Sequence, residues 1–163
     1  MKNEINIDSW NRKEHFHFFS KFEEPFFGIT AELDCTHAYK ESKENDFSFY
    51  LYYLYLSLKA INETDEFKLR IDGNKVYRYD TINVSSTVLR DDRTFGFSFI
   101  YFHEDFNQFC CNAAKEIDHI KSTTGLQLNK NSSRLDTVHF SSIPWISFTG
   151  LTHARAFGKD DSV

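Results

Sequence analysis

Residues 94–125 read TFGFSFIYFHEDFNQFCCNAAKEIDHIKSTTG, and the change of period inside this stretch decides the fold. In the first part Phe95, Phe97, Phe99 and Tyr101 share one face of an extended chain, with Gly96, Ser98, Ile100 and Phe102 opposite. Both faces are largely apolar, which predicts a central strand over Thr94–Phe102, covered on both sides. In the second part Phe106, Phe109, Cys110, Ala113, Ile117 and Ile120 fall at helical spacing. That predicts an amphipathic helix over Glu104–Thr123, with Glu104 and Asp105 at its N-terminus and Gly125 at its end. A strand and a helix side by side set a mixed α/β character.

Working upstream, Phe67, Leu69 and Ile71 alternate with Lys68, Arg70 and Asp72. The turn Asp72-Gly73-Asn74 then leads to a return strand Val76–Tyr79, because Asp-Gly is a strong hairpin signal. Thr81–Leu89 reads as extended. Asp46 through Asn62 reads as a buried helix capped by Asp46, since it is apolar on nearly every face. Phe26–Leu33 reads as a short strand. Asp8 and Ser9 are candidate caps for a short helix carrying Trp10, Arg12, Glu14, His15 and Phe16. Downstream, a polar loop runs to about Asp136. Val138–Thr149 reads as a strand that Pro144 interrupts with a bulge or an edge. The Gly-Lys-Asp-Asp stretch that follows resembles a turn with no closing element after it. No repeat or Pro/Gly-rich linker breaks the chain, so residues 1–163 are expected to form a single domain, and an incomplete one.

Composition narrows the function classes. The 163 residues carry 18 Phe, 8 Tyr and 2 Trp, which suits a strand-rich core or a pocket for a flat apolar ligand. Net charge is −5 with no long run of one sign, so nothing resembles a nucleic-acid-binding stripe. The apolar run Phe49–Leu58 is too short to span a bilayer, and MKNEINIDSW lacks an apolar leader core. Cys35, Cys110 and Cys111 show no paired spacing, which fits a reduced cytoplasm.

Common catalytic signatures are absent: no G-x-S-x-G elbow, no phosphate-cradling glycine loop and no G-x-G-x-x-G. His15 and His17 sit two apart, and the other histidines lack ligand-spaced partners, so no metal site is expected. His103 with Asp105 reads as a solvated helix start rather than an acid–base pair, because no nucleophile stands near. His153 reads as a surface residue.

Three segments in order resemble the chloramphenicol acetyltransferases. Trp10-Asn11-Arg12-Lys13-Glu14-His15-Phe16 is similar to the family's W-x-R-[RK]-E-H-F opening. Phe49-Tyr50, then Asn62 and Glu66-Phe67-Lys68-Leu69-Arg70, match the next segment. Ser142-Ile143-Pro144-Trp145-Ile146-Ser147-Phe148 is similar to the family's P-W-[VI]-x-F segment. The resemblance runs from near residue 5 to the end.

The resemblance implies an α/β (α+β) two-layer sandwich of the coenzyme A-dependent acyltransferase kind, with a mixed sheet and helices on one face. It implies a homotrimer with the site at the subunit interface, acetyl-coenzyme A as cosubstrate, no metal, and a chloramphenicol-like acceptor. The family's general base is a histidine of an H-H-x-x-x-D-G motif, which would lie beyond Val163. The motif's aspartate pairs with the arginine at the position of Arg12. The family's oxyanion serine aligns with Gly150, which has no hydroxyl; Thr149 and Thr152 are the neighbouring candidates. Phe18, Phe19, Phe27, Thr87, Phe95 and Phe97 match substrate-tunnel positions, each with a competing core reading. The expected function is acetyl transfer to chloramphenicol, with this chain alone inactive. The alternatives are a degenerate chain that binds an apolar ligand or assembles with complete subunits, and an O-acyltransferase with another hydroxyl acceptor.

Overall fold

Gly73 adopts φ 61°, a left-handed conformation cheap only for a residue without a Cβ. It closes the expected hairpin between β2 (Leu69–Asp72) and β3 (Lys75–Tyr79), with Leu69 opposite Arg78 and Asp72 opposite Lys75. This computed structural model describes residues 1–23, 25 and 27–151. Phe67 lies outside the hairpin, in a 3₁₀ turn over Asp65–Lys68, and is exposed. β1 (Lys2–Glu4) pairs antiparallel with the free side of β3, giving the sheet order β1-β3-β2. Its residues Lys-Asn-Glu carry no apolar alternation, so only the partner strand reveals it. Lys2 to Asp72 (3.0 Å) and Lys75 to Glu4 (2.8 Å) clamp it across the sheet.

The second sheet has order β5-β4-β6, from β4 (Asn83–Leu89), β5 (Phe95–Ile100) and β6 (Thr137–Phe140). β5 runs antiparallel to β4 and β6 runs parallel, so the sheet is mixed as expected. β5 is an edge strand of this sheet, contrary to the expectation of a central one. Its outward amides find other acceptors: Phe97 N–H donates to the Leu126 carbonyl and Phe99 N–H to Glu116 Oε1, each at 3.0 Å. β6 is also shorter than expected. It ends at Phe140, and residues 141–151 form no strand; Pro144 has no amide to donate, and Ile146 N–H turns back to the Ile143 carbonyl.

One face of this sheet carries the core. Leu51, Leu54, Tyr55 and Leu58 of α3 (Phe49–Glu63) meet Phe109 and Ala113 of α4 (Phe106–Ser122), Val84 of β4 and Ile100 of β5. α3 is capped by Ser48, whose hydroxyl faces the Leu51 amide, and not by Asp46. Asp46 stands two residues earlier at φ 54°, in the turn that enters the helix. Asp105 caps α4 by accepting from Gln108 N at 2.8 Å.

α2 (Thr36–Glu44) was not anticipated, because THAYKESKE shows no apolar stripe. Contacts with α3 hold it: Tyr52 Oη donates to Glu41 Oε2 at 2.8 Å, and the Tyr39 and Phe49 rings meet edge to face at 5.4 Å. α1 covers Lys13–Phe19. Ile7–Ser9 form a separate 3₁₀ turn capped by Asn6, and Asp8 pairs with Lys13 at 2.7 Å rather than capping α1. The expected strand over Phe26–Leu33 does not form. Phe26 itself lies outside the described residues, and Phe27, Ile29 and Leu33 are exposed in a segment with no partner strand. The Gly-Lys-Asp-Asp stretch also lies outside the described residues.

Candidate active site

The face of the β5-β4-β6 sheet turned away from α3 and α4 is aromatic and largely open. Register builds it. Thr87 stands opposite Phe97, and Leu89 opposite Phe95. The Phe95 and Phe97 rings meet edge to face with centroids 5.5 Å apart. Thr87 Oγ1 reaches Ser141 Oγ at 3.5 Å, just beyond the end of β6. Three expected tunnel residues, Thr87, Phe95 and Phe97, are therefore neighbours on one surface. Leu89 and Phe95 remain 52 % and 42 % exposed, so their side chains face outward instead of filling a core.

The same face carries residues that the sequence reading did not assign to a site. Phe99 and Tyr101 continue the aromatic row, their rings 5.0 Å apart. Ser85 and His139 stand opposite each other in the parallel β4–β6 register, next to Phe99. The signal in the sequence was the alternation Thr137-Val138-His139-Phe140, but nothing local says which strand it pairs with. The Arg134 guanidinium lies 5.2 Å from the Phe99 ring centroid and 5.7 Å from that of Tyr101. Asp136 anchors it, accepting from Arg134 Nε at 2.8 Å, and this bond raises the guanidinium's pKa. Asp136 also accepts from Asn83 Nδ2 at 3.1 Å, so a buried polar chain supports one end of the shelf.

The remaining expected residues are not gathered there. Phe18 and Phe19 pack on each other at 5.1 Å and on Phe22, forming an exposed cluster of their own. Phe27 is 89 % exposed. Among the described residues no ring pair joins Phe18, Phe19 or Phe27 to Phe95 or Phe97. Arg12 pairs on the surface with Glu66 at 3.2 Å, both side chains about half exposed. Thr149 and Gly150 are exposed, and a Cβ built on Gly150 meets nothing within 4 Å. Thr152 and His153 lie outside the described residues.

Of the other titratable candidates, His103 has structural work. His103 Nδ1 accepts from Asp105 N at 3.0 Å, inside the cap of α4. His15 and His17 are exposed on α1. Cys35 and Cys111 are exposed and Cys110 half-buried, all free; burial pushes the Cys110 thiol pKa up. Among the described residues no three His, Cys, Asp or Glu side chains cluster as metal ligands, and no helix is long and apolar enough to cross a membrane.

Chemically, the shelf offers aromatic edges and faces, the hydroxyls of Ser85, Thr87 and Tyr101, the His139 imidazole and the Arg134 guanidinium. That combination suits a flat, apolar ligand carrying a hydroxyl group.

Comparison with known proteins gives the same direction. A chloramphenicol acetyltransferase of Proteus mirabilis is 27 % identical over 148 residues, covering 90 % of this chain and 67 % of its own. One from Clostridium perfringens is 29 % identical over 151 residues, covering 91 % and 68 %. A solved chloramphenicol acetyltransferase structure superposes with a TM-score of 0.90 at 33 % identity, covering 99 % of this chain and 78 % of that one. Residues 1–161 match the family described as "Chloramphenicol acetyltransferase". The chain belongs to the chloramphenicol acetyltransferase family.

Proposed function

We propose that this chain acts in the transfer of an acetyl group from acetyl-coenzyme A to a hydroxyl of chloramphenicol, as a subunit of a cytoplasmic homotrimer. The observation that carries this reading is the family match over residues 1–161, which spans the whole aromatic shelf. In this reading Thr87, Phe95 and Phe97 receive the drug, residues 1–163 act as one folding unit, and no metal takes part. The family's base is the histidine of H-H-x-x-x-D-G. Residues 1–163 contain no adjacent histidine pair. Residues 1–163 alone therefore lack that base, and turnover by them alone is expected to be unmeasurable. Loss of a general base costs ~10²–10⁴-fold, and loss of an oxyanion donor a further ~10²–10³-fold.

The test mixes the purified chain with chloramphenicol and acetyl-coenzyme A and follows free thiol release. A second sample carries an added family segment with H-H-x-x-x-D-G. Release only in the second sample supports the reading. Turnover at an ordinary enzyme rate by the first sample would overturn the assignment of the base, and His139 on the shelf would be the first residue to replace.

A second reading, acyl transfer to a different hydroxyl acceptor, has one observation in its favour. Gly150 offers no hydroxyl where the family serine aligns, and the space around it is open. Gly150→Ser in the complemented sample separates the two. A rise in chloramphenicol turnover favours the first reading; a fall, with other alcohols still acetylated, favours the second.

A further inference from the structure

After Phe140 the chain leaves the sheet, and residues 141–151 carry Thr149 and Gly150 with no strand or helix to hold them. Among the described residues, two side-chain hydrogen bonds tie this segment to the rest of the molecule. One is Thr87 to Ser141, long at 3.5 Å and exposed. The other is a short contact between Tyr53 Oη and Ser142 Oγ, partly buried. Tyr53 is held by its own helix: its ring packs edge to face on Tyr50 at 5.5 Å and on Phe49 at 5.4 Å. One turn earlier on α3, Tyr50 Oη donates to Ser86 Oγ of β4 at 2.8 Å. Two phenols on one face of α3 thus reach the sheet and the segment that leaves it. Burial pushes the Tyr53 phenol pKa up.

We infer that Tyr53 is a positioning residue for the acyl-transfer site, acting through Ser142 to set where residues 143–151, and with them Thr149 and Gly150, lie relative to the aromatic shelf. This rests on the acyl-transfer reading above. The physical case is one of leverage. Ser142 is the last residue before the Ile143-Pro144-Trp145 run, and proline fixes its own φ and restricts the residue before it. An anchor at Ser142 therefore propagates stiffly into the run, whereas one further along would not. A misplacement of about 1 Å at a reacting centre costs on the order of 10²-fold in rate, so a single such anchor is enough to matter.

The experiment compares Tyr53→Phe, Ser142→Ala, the two together, and Ser142→Thr. Two readouts are taken: amide hydrogen exchange over residues 143–151, and chloramphenicol binding by calorimetry. Tyr53→Phe and Ser142→Ala should each speed exchange and weaken binding by about tenfold, the size expected for one hydrogen bond of ~1.4 kcal/mol. The double variant should be no worse than either single one, because both remove the same bond. Ser142→Thr keeps the hydroxyl and should stay within about threefold of the wild type. A role for Tyr53 confined to packing within α3 would leave Ser142→Ala within about threefold of the wild type and would make the two single effects add in the double variant. Exchange unchanged in both single variants, or effects that multiply to about a hundredfold in the double, would overturn the inference. Ser142 lies on a segment outside the core, so its variants report even where Tyr53→Phe fails to fold. A wild type that binds no chloramphenicol would tell against the acyl-transfer reading, while the exchange data still decide the role of Tyr53.

Discussion

A Cβ added at Gly96 would come within 2.5 Å of Arg90 Nη2 and 2.8 Å of Ile120 Cγ2. The guanidinium cannot easily step aside. It is buried and donates from Nε to the Ile120 carbonyl (2.8 Å), from Nη1 to Thr94 Oγ1 (3.1 Å) and from Nη2 to the Gly125 carbonyl (2.7 Å). Arg90 thereby caps the C-terminal end of α4, where carbonyls lack helical partners and the dipole favours a cation. Gly96→Ala is expected to destabilise by about 1–3 kcal/mol through overpacking. Denaturant melts should show most of that loss disappear when Arg90→Ala is already present. An equal penalty in both backgrounds would refute the link.

Glu116 closes the outer edge of β5 by accepting from Phe99 N–H at 3.0 Å. Without an acceptor there, an edge amide is open to water or to another strand. Glu116→Ala is expected to speed exchange of the Phe99 amide by roughly tenfold, since a hydrogen bond to a charged group contributes about 1.5–3 kcal/mol before solvent screening. Glu116→Gln keeps a carbonyl acceptor and should fall in between. Identical exchange in all three proteins would show that the carboxylate does not protect this edge.

Stability should fall in acid. Asp8 is held below the usual carboxylate range by a hydrogen bond from Lys13 and Asp65 by one from Lys68, with Arg78 adding to the latter. Asp34 and Asp92 are lowered by hydrogen bonds from Thr36 and Thr94. A depressed folded-state pKa means that the unfolded chain takes up protons first. Its stabilisation is complete above the unfolded value, about 3.9 for aspartate, and is lost as pH falls through the folded one. All four groups are exposed, so the effect is modest. The melting temperature should be flat above about pH 5 and decline below about pH 4. Added salt should weaken the part due to Asp8 and Asp65 more than that due to Asp34 and Asp92. A melting temperature that rises on acidification would contradict the assignment.

The isolated chain is expected to self-associate. Phe18, Leu89, Phe95, Trp145 and Ile146 are each more than two-fifths exposed, an amount of apolar surface that marks an interface or an aggregation liability. Gel filtration of residues 1–163 alone, without the added H-H-x-x-x-D-G segment, over a concentration series should show oligomers of ill-defined size, and a dye that reports apolar surface should bind. A monodisperse, thermally robust species would show that these side chains find cover within one defined assembly.

The sequence by itself determined the elements whose cause is local. Asp72-Gly73 makes its turn because glycine reaches positive φ at no steric cost. α4 declares itself because Phe109, Ala113 and Ile120 recur on one stripe, and these are the residues buried. The family was also legible, since Trp10–Phe16 and Ser142–Phe148 are short, specific runs. Tertiary structure decided what depends on partners distant in the chain. α2 has no stripe of its own and is held by Tyr52 and Phe49 of α3. β5 looked central because both its faces are apolar, yet Leu126 and Glu116 take the place of a neighbouring strand. The same holds for the candidate site. Alternation placed Phe95 and Phe97 on one face, but only the register of β4 with β5 and β6 could bring Thr87, Ser85 and His139 beside them. A strand's period tells which side chains share a face; which strands lie next to it is set by long-range pairing, and no local pattern encodes that.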